Sequence, residues 1–250
     1  VGFDYSYNRH QRDNNSPYGG VDTVDFDNPV SGLFFSPDPF SSQRRTEVKS
    51  LGYYLEDFLE LTEAFSLSLA LRHDVSDLDS FDLRASNDFS KHYSANSWRI
   101  GGIYQFNETV SAYAQIGRAF EPPSQIVTLA ESLKEFALTE SRQTEVGLKG
   151  IFAEGRIEAT VALFDITRSN ILTRDPVDPD KRTQIGEQSS EGVEFEIAYR
   201  PSEYWSIHAN MSLIDAQYDD YIDNSSGVPV SRAGNVPTDV PEKLANLWLS

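Results

Sequence analysis

The stretch Trp98-Arg-Ile-Gly-Gly-Ile-Tyr-Gln-Phe-Asn-Glu-Thr-Val-Ser-Ala-Tyr-Ala-Gln-Ile-Gly-Arg118 decides the fold. In its first half Trp98, Ile100, Gly102, Tyr104 and Phe106 fall on every second position, against Arg99, Gly101 and Gln105. In its second half Val110, Ala112, Ala114 and Ile116 alternate with Thr109, Ser111, Tyr113 and Gln115. Successive side chains of a strand point to opposite faces, so each half reads as a strand with one apolar and one polar face. Phe106–Thr109 between them is a short polar turn.

The same period of two spreads outward from this pair. Val1, Phe3, Tyr5 and Tyr7 share a face in 1–8, and Phe65, Leu67, Leu69 and Leu71 share one in 64–74. Thr144, Val146, Leu148 and Phe152 do so in 142–152, Val193, Phe195, Ile197 and Tyr199 in 191–200, and Trp205, Ile207, Ala209, Met211 and Leu213 in 204–214. In 155–168 the alternation through Ile157, Ala159, Val161 and Leu163 meets Asp165 on the apolar side, which predicts a bulge near Phe164. In 45–61 Glu47, Lys49, Glu56, Asp57 and Glu60 blur a strand pattern that is otherwise present, and 242–250 opens a last one. The expectation is ten strands.

Loop length sorts these strands by end. The short turns are Leu61–Ala64, Phe106–Thr109, Ala153–Arg156 and Pro201–Trp205; the long connections are roughly 10–44, 75–94, 119–141, 169–186 and 218–241. Strand segments of about nine to fourteen residues suit a tilted bilayer crossing, and outer-membrane barrels pair short turns on one side with long loops on the other. A soluble β-sandwich has no reason to segregate its loops this way. Tyr53, Tyr54, Trp98, Tyr104, Phe106, Tyr199, Tyr204, Trp205 and Trp248 cluster near strand ends, where interfacial girdles lie. The fold class read from the chain is all-β, an antiparallel transmembrane β-barrel.

Bulk properties agree. No run reaches 18 apolar residues, so no helix of the sequence spans a bilayer. Mean hydropathy is −0.45, which a barrel with a wet interior tolerates because half of every strand is polar. The net charge of −18 excludes a nucleic-acid partner, and the absence of cysteine excludes disulfides and thiolate metal sites. The acidic residues gather in the long connections (Asp22, Asp25, Asp27; Asp74, Asp77, Asp79, Asp82; Asp215, Asp219, Asp220, Asp223) as solvated, self-repelling segments. None carries the Asp-x-Asp-x-Asp-Gly spacing of a calcium loop. Within 119–141, Ile126, Leu129, Ala130, Leu133, Phe136 and Ala137 recur at helical spacing after Pro122-Pro123-Ser124, which predicts a short amphipathic helix at the barrel mouth.

Four ordered stretches carry a family resemblance: Tyr113 to Ser124 (strand, then Ala-Phe-Glu-Pro-Pro-Ser), Leu138 to Gly150 (Thr-Glu-Ser-Arg-Gln-Thr-Glu-Val-Gly-Leu-Lys), Ala162 to Thr173, and Gln184 to Glu196. In this order they resemble the barrel domain of TonB-dependent outer-membrane receptors, especially the siderophore type; Thr139 stands where proline is usual. The resemblance implies a 22-stranded barrel closed by an N-terminal plug. Val1 is not Met, the strand pattern starts at once, and Ser250 ends inside an apolar run. Residues 1–250 are therefore expected to be a fragment of the barrel domain, without the plug and the last strands. The lumen-facing Glu145, Lys149, Glu194, Glu196 and Arg200 would meet the plug or water.

What the resemblance implies for function is binding of a ferric siderophore at the outer mouth and its import, energised by TonB acting on the plug. Outer-membrane lipid and lipopolysaccharide would surround the wall; no cofactor and no enzymatic chemistry are implied. The candidate ligand-binding residues are Tyr18, Phe34, Phe35, Phe40 and Arg44, with Arg45 beside them, because aromatics and cations suit a planar chelate. Arg118 and Glu121 stand at a strand-to-loop transition and are expected at the pocket or paired with each other or with other loops. The alternatives are a passive porin, or a receptor for haem, cobalamin or a carbohydrate. A hydrolase reading finds only His73-Asp74, whose neighbouring side chains point to opposite faces, and no Gly-x-Ser-x-Gly elbow.

Overall fold

The computed structural model describes residues 1–15, 25, 27–30, 38–121, 136–174, 182–223 and 228–250, with the backbone alone for 172–174, 182–183 and 185. The strands are β1 (Gly2–Asn14), β2 (Ser41–Glu60), β3 (Phe65–Asp82), β4 (Phe89–Gln105), β5 (Val110–Glu121), β6 (Thr139–Phe152), β7 (Ile157–Arg174), β8 (Arg182–Ser202), β9 (Trp205–Asp220), β10 (Ile222–Asp223), β11 (Val230–Ser231) and β12 (Lys243–Leu249). Ten of them form one sheet in chain order, β1 to β9 and then β12, with every neighbouring pair antiparallel. β10 and β11 form a separate ribbon in the connection before β12. The sheet is open, as expected of part of a barrel wall.

The tight turns explain why one end is compact. Thr62 Oγ1 accepts from the Ala64 and Phe65 amides at 3.3 and 3.0 Å. Asn107 Oδ1 accepts from the amides of Thr109 and Val110, both at 2.9 Å. Each side chain thus reverses the chain by satisfying the amides that the turn frees. Ala153, Glu154 and Gly155 all take positive φ (54°, 59° and 83°), a left-handed reversal that joins β6 to β7 with four residues.

Register fixes the two faces. Leu67, Gly102, Ala114, Val146, Leu163, Val193 and Leu213 oppose one another in a single row across β3 to β9. One residue along, the opposite face carries the row Ser68, Gly101, Gln115, Glu145, Phe164, Gly192 and Ile214. The apolar face is not folded onto a second layer: Ile100, Leu148, Leu163 and Leu247 are 45%, 48%, 56% and 63% exposed. Phe65, Leu67, Ile207 and Leu213 lie on it, and none of them is buried. An apolar face of this size left open to solvent fits lipid contact, and the polar face becomes the lumen.

The apolar band also steps. Toward the long connections its unbroken apolar run ends at Leu51 on β2, Trp98 on β4, Ile116 on β5 and Leu163 on β7, while its turn-side limit falls from Leu59 to Ile157. In register these limits shift toward the turns from strand to strand. Strands tilted to the bilayer normal produce that drift.

Three expectations are corrected. The connections are shorter than their polarity suggested: 75–94 is strand to Asp82 and from Phe89, 169–186 is strand to Arg174 and from Arg182, and 10–44 is strand to Asn14 and from Ser41. Here the inward face is buried, but Thr46, Ser76 and Ser80 share it with Val48, Leu78 and Tyr93, and the outward face is mostly polar, so the strands lack a clean apolar alternation beyond the bilayer. The bulge near Phe164 does not occur, because Leu163, Phe164 and Asp165 pair continuously with Val146, Glu145 and Thr144 and with Val193, Gly192 and Glu191. Asp165 needs no escape from the apolar face; it stands just beyond the band. In β2 the charges sort without a break: Glu47 and Lys49 lie beyond the band on the outward face, Glu56 and Glu60 face the lumen, and Asp57 alone points outward between Leu55 and Leu59. The proposed helix at 126–137 lies almost wholly outside the described residues; Phe136 and Ala137 have no regular structure.

Candidate functional site

The site to be tested is the lumen side of the strand tops, where the long connections begin. Tyr18, Phe34 and Phe35 lie outside the described residues. Phe40, just before β2, is 74% exposed, so its ring is free to meet a ligand. Arg44 is on the lumen face of β2, between Arg12 of β1 and Asp82 of β3. Its Nη1 donates to Ser80 Oγ at 2.9 Å, its Nη2 lies 3.5 Å from Asp82 Oδ2, and its guanidinium sits 5.9 Å from the Phe89 ring centroid. Arg45 points the other way, over the Phe81 ring at 4.7 Å.

Asp82 organises this corner. It accepts from the Ala85 amide at 2.9 Å and the Arg84 amide at 3.0 Å. Those two amides, then the Arg44 and Arg84 charges, hold its carboxyl below the ordinary carboxylate range. Arg84 donates to the carbonyls of Asn14 and Ser41 at 2.8 and 2.7 Å, which ties the β3–β4 turn across the tops of β1 and β2.

Arg118 and Glu121 separate. They stand three positions apart on a strand, so they occupy opposite faces. Glu121 faces the lumen and ion-pairs with Arg168 of β7. Arg118 lies on the outward face, opposite Trp98 and Arg142, and is bidentate to Glu140 at 2.7 Å for each bond. The two therefore do not pair with each other, and Arg118 is directed away from the mouth. Sequence reading missed Arg168 and Glu140, because only cross-strand register brings them to these partners.

Beside Glu121 the mouth is tied by amides. Gln184 Nε2 donates to the carbonyls of Ala137 and Asn170 at 3.0 and 2.9 Å, and Thr139 Oγ1 donates to Asn170 O at 3.1 Å. Asn170 holds a φ of 59°, a left-handed turn that asparagine accepts more readily than most residues. On the last connection Arg232 is bidentate to the buried Asp223 at 2.9 and 2.6 Å, which closes the β10–β11 ribbon.

Deeper in the lumen several charges are satisfied by neighbours. Arg72 bridges β1 and β3, with Nη1 2.9 Å from Asp4 Oδ2 and Nη2 2.6 Å from Asp74 Oδ1. Glu145 accepts from Tyr113 Oη at 2.5 Å and from the amides of Gln115 and Gln143 at 3.1 and 3.0 Å. A polar interior of this kind is inexpensive because it is paired and open to water. His73 bonds Asn96 on the outward face while Asp74 serves Arg72 on the other, so this neighbouring pair does not form an acid–base couple. Among the described residues no group of three His, Asp or Glu side chains is arranged to hold a metal ion.

Comparison with known proteins matches this architecture. The family model "TonB dependent receptor-like, beta-barrel" matches residues 1–250. The chain is 27% identical over 248 residues to the ferrichrome outer membrane transporter/phage receptor of Escherichia coli, covering 96% of this chain and 32% of that protein. It is 27% identical over 255 residues to the ferrioxamine B receptor of Salmonella typhimurium, covering 100% and 34%. Among solved structures, the siderophore receptor PiuA from Acinetobacter baumannii superposes with a TM-score of 0.72 at 21% identity, over 88% of this chain and 33% of that one. The ferripyoverdine receptor of Pseudomonas aeruginosa, solved with ferripyoverdine bound, does so with a TM-score of 0.71 at 21% identity, over 100% and 32%. The chain spans about a third of the length of the curated relatives it matches. These proteins are named as receptors or transporters, two of them of the outer membrane, and the matched family model spans the whole sequence. The chain belongs to the family of TonB-dependent receptor-like β-barrels.

Proposed function

We propose that the protein of which this wall is part is an outer-membrane receptor that binds a ferric siderophore at its outer mouth and imports it with energy delivered through TonB. The observation that supports this most is the combination of a lipid-facing apolar band with a mouth that carries a lumen-facing cation, Arg44, on β2 and the exposed ring of Phe40 just before that strand. Relatives named for ferrichrome and ferrioxamine B transport supply the ligand class. Aromatic rings and guanidinium groups suit an anionic, planar metal chelate. Tyr18, Phe34 and Phe35 complete the proposed set with Glu121, whose partner Arg168 adds a second cation to the mouth. Arg118 is left out of the set because it faces outward.

Transport requires no covalent step from this chain. The wall supplies a rigid, paired lumen in which Arg72 and Glu145 are already satisfied. A plug held in that lumen would be displaced without leaving those two wall charges unsatisfied.

The test is uptake of radiolabelled iron by cells whose only receptor is the full-length protein, offered a panel of hydroxamate, catecholate and mixed chelates. Uptake of at least one chelate, abolished by an uncoupler or by loss of TonB, supports the reading. Energy-independent flux of small solutes would instead identify a passive channel.

A further inference from the structure

We infer that Arg84 is a positioning residue for ligand binding: it holds the two feet of the β1–β2 connection together and thereby sets where Phe40 and Arg44 stand at the mouth. The inference rests on the binding role proposed above for those two residues. Asn14 and Ser41 are the last paired residues of β1 and β2. Arg84 Nη2 donates to Asn14 O at 2.8 Å, to Ser41 O at 2.7 Å and to Ser41 Oγ at 2.6 Å. Hydrogen bonds from an ionised donor are about twice as strong as neutral ones. Phe40 directly precedes Ser41, and Arg44 stands three residues beyond it.

The feet need such a tie. The β1–β2 register shifts between Arg12 and Asp13, just below the last pairs. Arg12 and Arg44 are directly opposite each other, and like charges opposite one another destabilise a strand pair. Asp82 offsets part of that repulsion, with Oδ2 3.5 Å from Arg44 Nη2.

Arg84 itself stands on a fixed base. The Leu83 amide donates to Gln43 O at 3.0 Å, which carries the β2–β3 pairing one residue further. Asp82 Oδ1 accepts from the Arg84 and Ala85 amides, and the Asp82 amide donates to Asp88 Oδ1 at 2.7 Å. The β3–β4 turn therefore brings its carboxylate to Arg44 and its guanidinium to the feet as one unit. These contacts all lie beyond the apolar band, so the lipid-embedded wall does not depend on them.

The experiment reads amide exchange on the full-length receptor in detergent and radiolabelled iron uptake by cells that carry it, with ferrichrome and ferrioxamine B as the probes. In Arg84→Met the amides of 41–44 should exchange about tenfold faster, while those of 65–71 stay unchanged. The chelate concentration for half-maximal uptake should rise about tenfold at an unchanged maximal rate, because misplacing Phe40 and Arg44 weakens binding and a folding defect would only lower the number of working receptors. Arg84→Lys keeps several donors on one nitrogen and should recover most of both properties. Arg9→Gln, on the outward face of β1 opposite Glu47, should match wild type in both. Heat-modifiable migration on gels confirms that each variant is a folded barrel. Unchanged exchange at 41–44 in Arg84→Met, a lowered maximal rate at unchanged half-saturation, recovery by Arg84→Lys no better than by Arg84→Met, or the same losses in Arg9→Gln would each overturn the proposal. Faster exchange at the feet of a receptor that imports no chelate of the panel above supports the tie and counts against the transport reading alone.

Discussion

The ring of Tyr113 on β5 lies across the backbone of Gly147 on β6, so close that a Cβ at 147 would stand 2.4 Å from it. This crossing carries the Tyr113 hydroxyl to Glu145 two residues back along β6. Phe164 crosses Gly192 on β8 in the same way, but a Cβ there would also stand 2.4 Å from the backbone carbonyl of Leu213. A flexible ring can yield and a sheet carbonyl cannot. Gly147→Ala should therefore cost about 1 kcal/mol, the value of one displaced hydrogen bond. Gly192→Ala should cost more, about 1–3 kcal/mol, as an overpacking substitution. Urea unfolding of the full-length receptor in detergent checks the order; equal costs for the two substitutions, or a larger cost at Gly147, would show that the carbonyl contact does not set the difference.

Facing is testable with one pair of neighbours. Val161 is in the middle of the outward band on β7 and Thr160 beside it faces the lumen. Val161→Arg should destabilise the folded barrel by about 2–4 kcal/mol, the depth-dependent cost of a charge at the bilayer midplane. Thr160→Arg should cost far less because it enters a wet interior. Equal unfolding midpoints in lipid bilayers would remove the assignment of faces.

Acid should loosen the strand tops at Glu140 first. The Arg118 hydrogen bonds and then Arg142 hold the Glu140 carboxyl below its ordinary value of 4.5. A carboxyl with a depressed folded pKa contributes stability that is present above the unfolded value and lost as pH falls through the lowered folded value. Amide protection at 118–121 and 139–142 should hold from neutral pH down to about 4.5 and fall below it. Arg118→Gln should flatten that fall; an unchanged acid profile in this variant would show that the ion pair does not govern the strand ends.

At the mouth, Phe34→Ala with Phe35→Ala should weaken binding of the transported chelate by about tenfold, a typical loss for removing aromatic anchors, with barrel assembly intact. Arg44→Gln should add to the loss, since Arg44 is the described cation on the lumen side of β2. Unchanged affinity of the aromatic variant in a fluorescence titration would reject the role given to that connection.

The strands within the bilayer were legible in the sequence residue by residue. Leu67, Ile100, Ala112, Val161 and Ile207 all stand on the face their alternation assigns, because one side of each strand meets hydrocarbon and the other water. The tight turns were legible for the same local reason, through Thr62 and Asn107. The strand extensions at Asp77–Asp82 and Phe89–Ser94 were not, since beyond the band the outward face is mostly polar and the buried inward face carries Ser80 as well as Leu78 and Tyr93, so the pattern loses its contrast. Asp165 misled in the same way: its charge signalled the edge of the bilayer and was read as a break in register.

By itself the sequence determined the barrel class, the end at which the long connections lie, and which face of each strand meets lipid, because all three follow from periodicity and spacing along the chain. The tertiary structure decided which charges meet. Glu121 finds Arg168 across two strands, Arg118 finds Glu140 on the opposite face, and Arg72 joins Asp4 from 68 residues away. Such pairings depend on strand register combined with side-chain reach across strands, which brings together residues far apart in the chain only when the sheet is assembled.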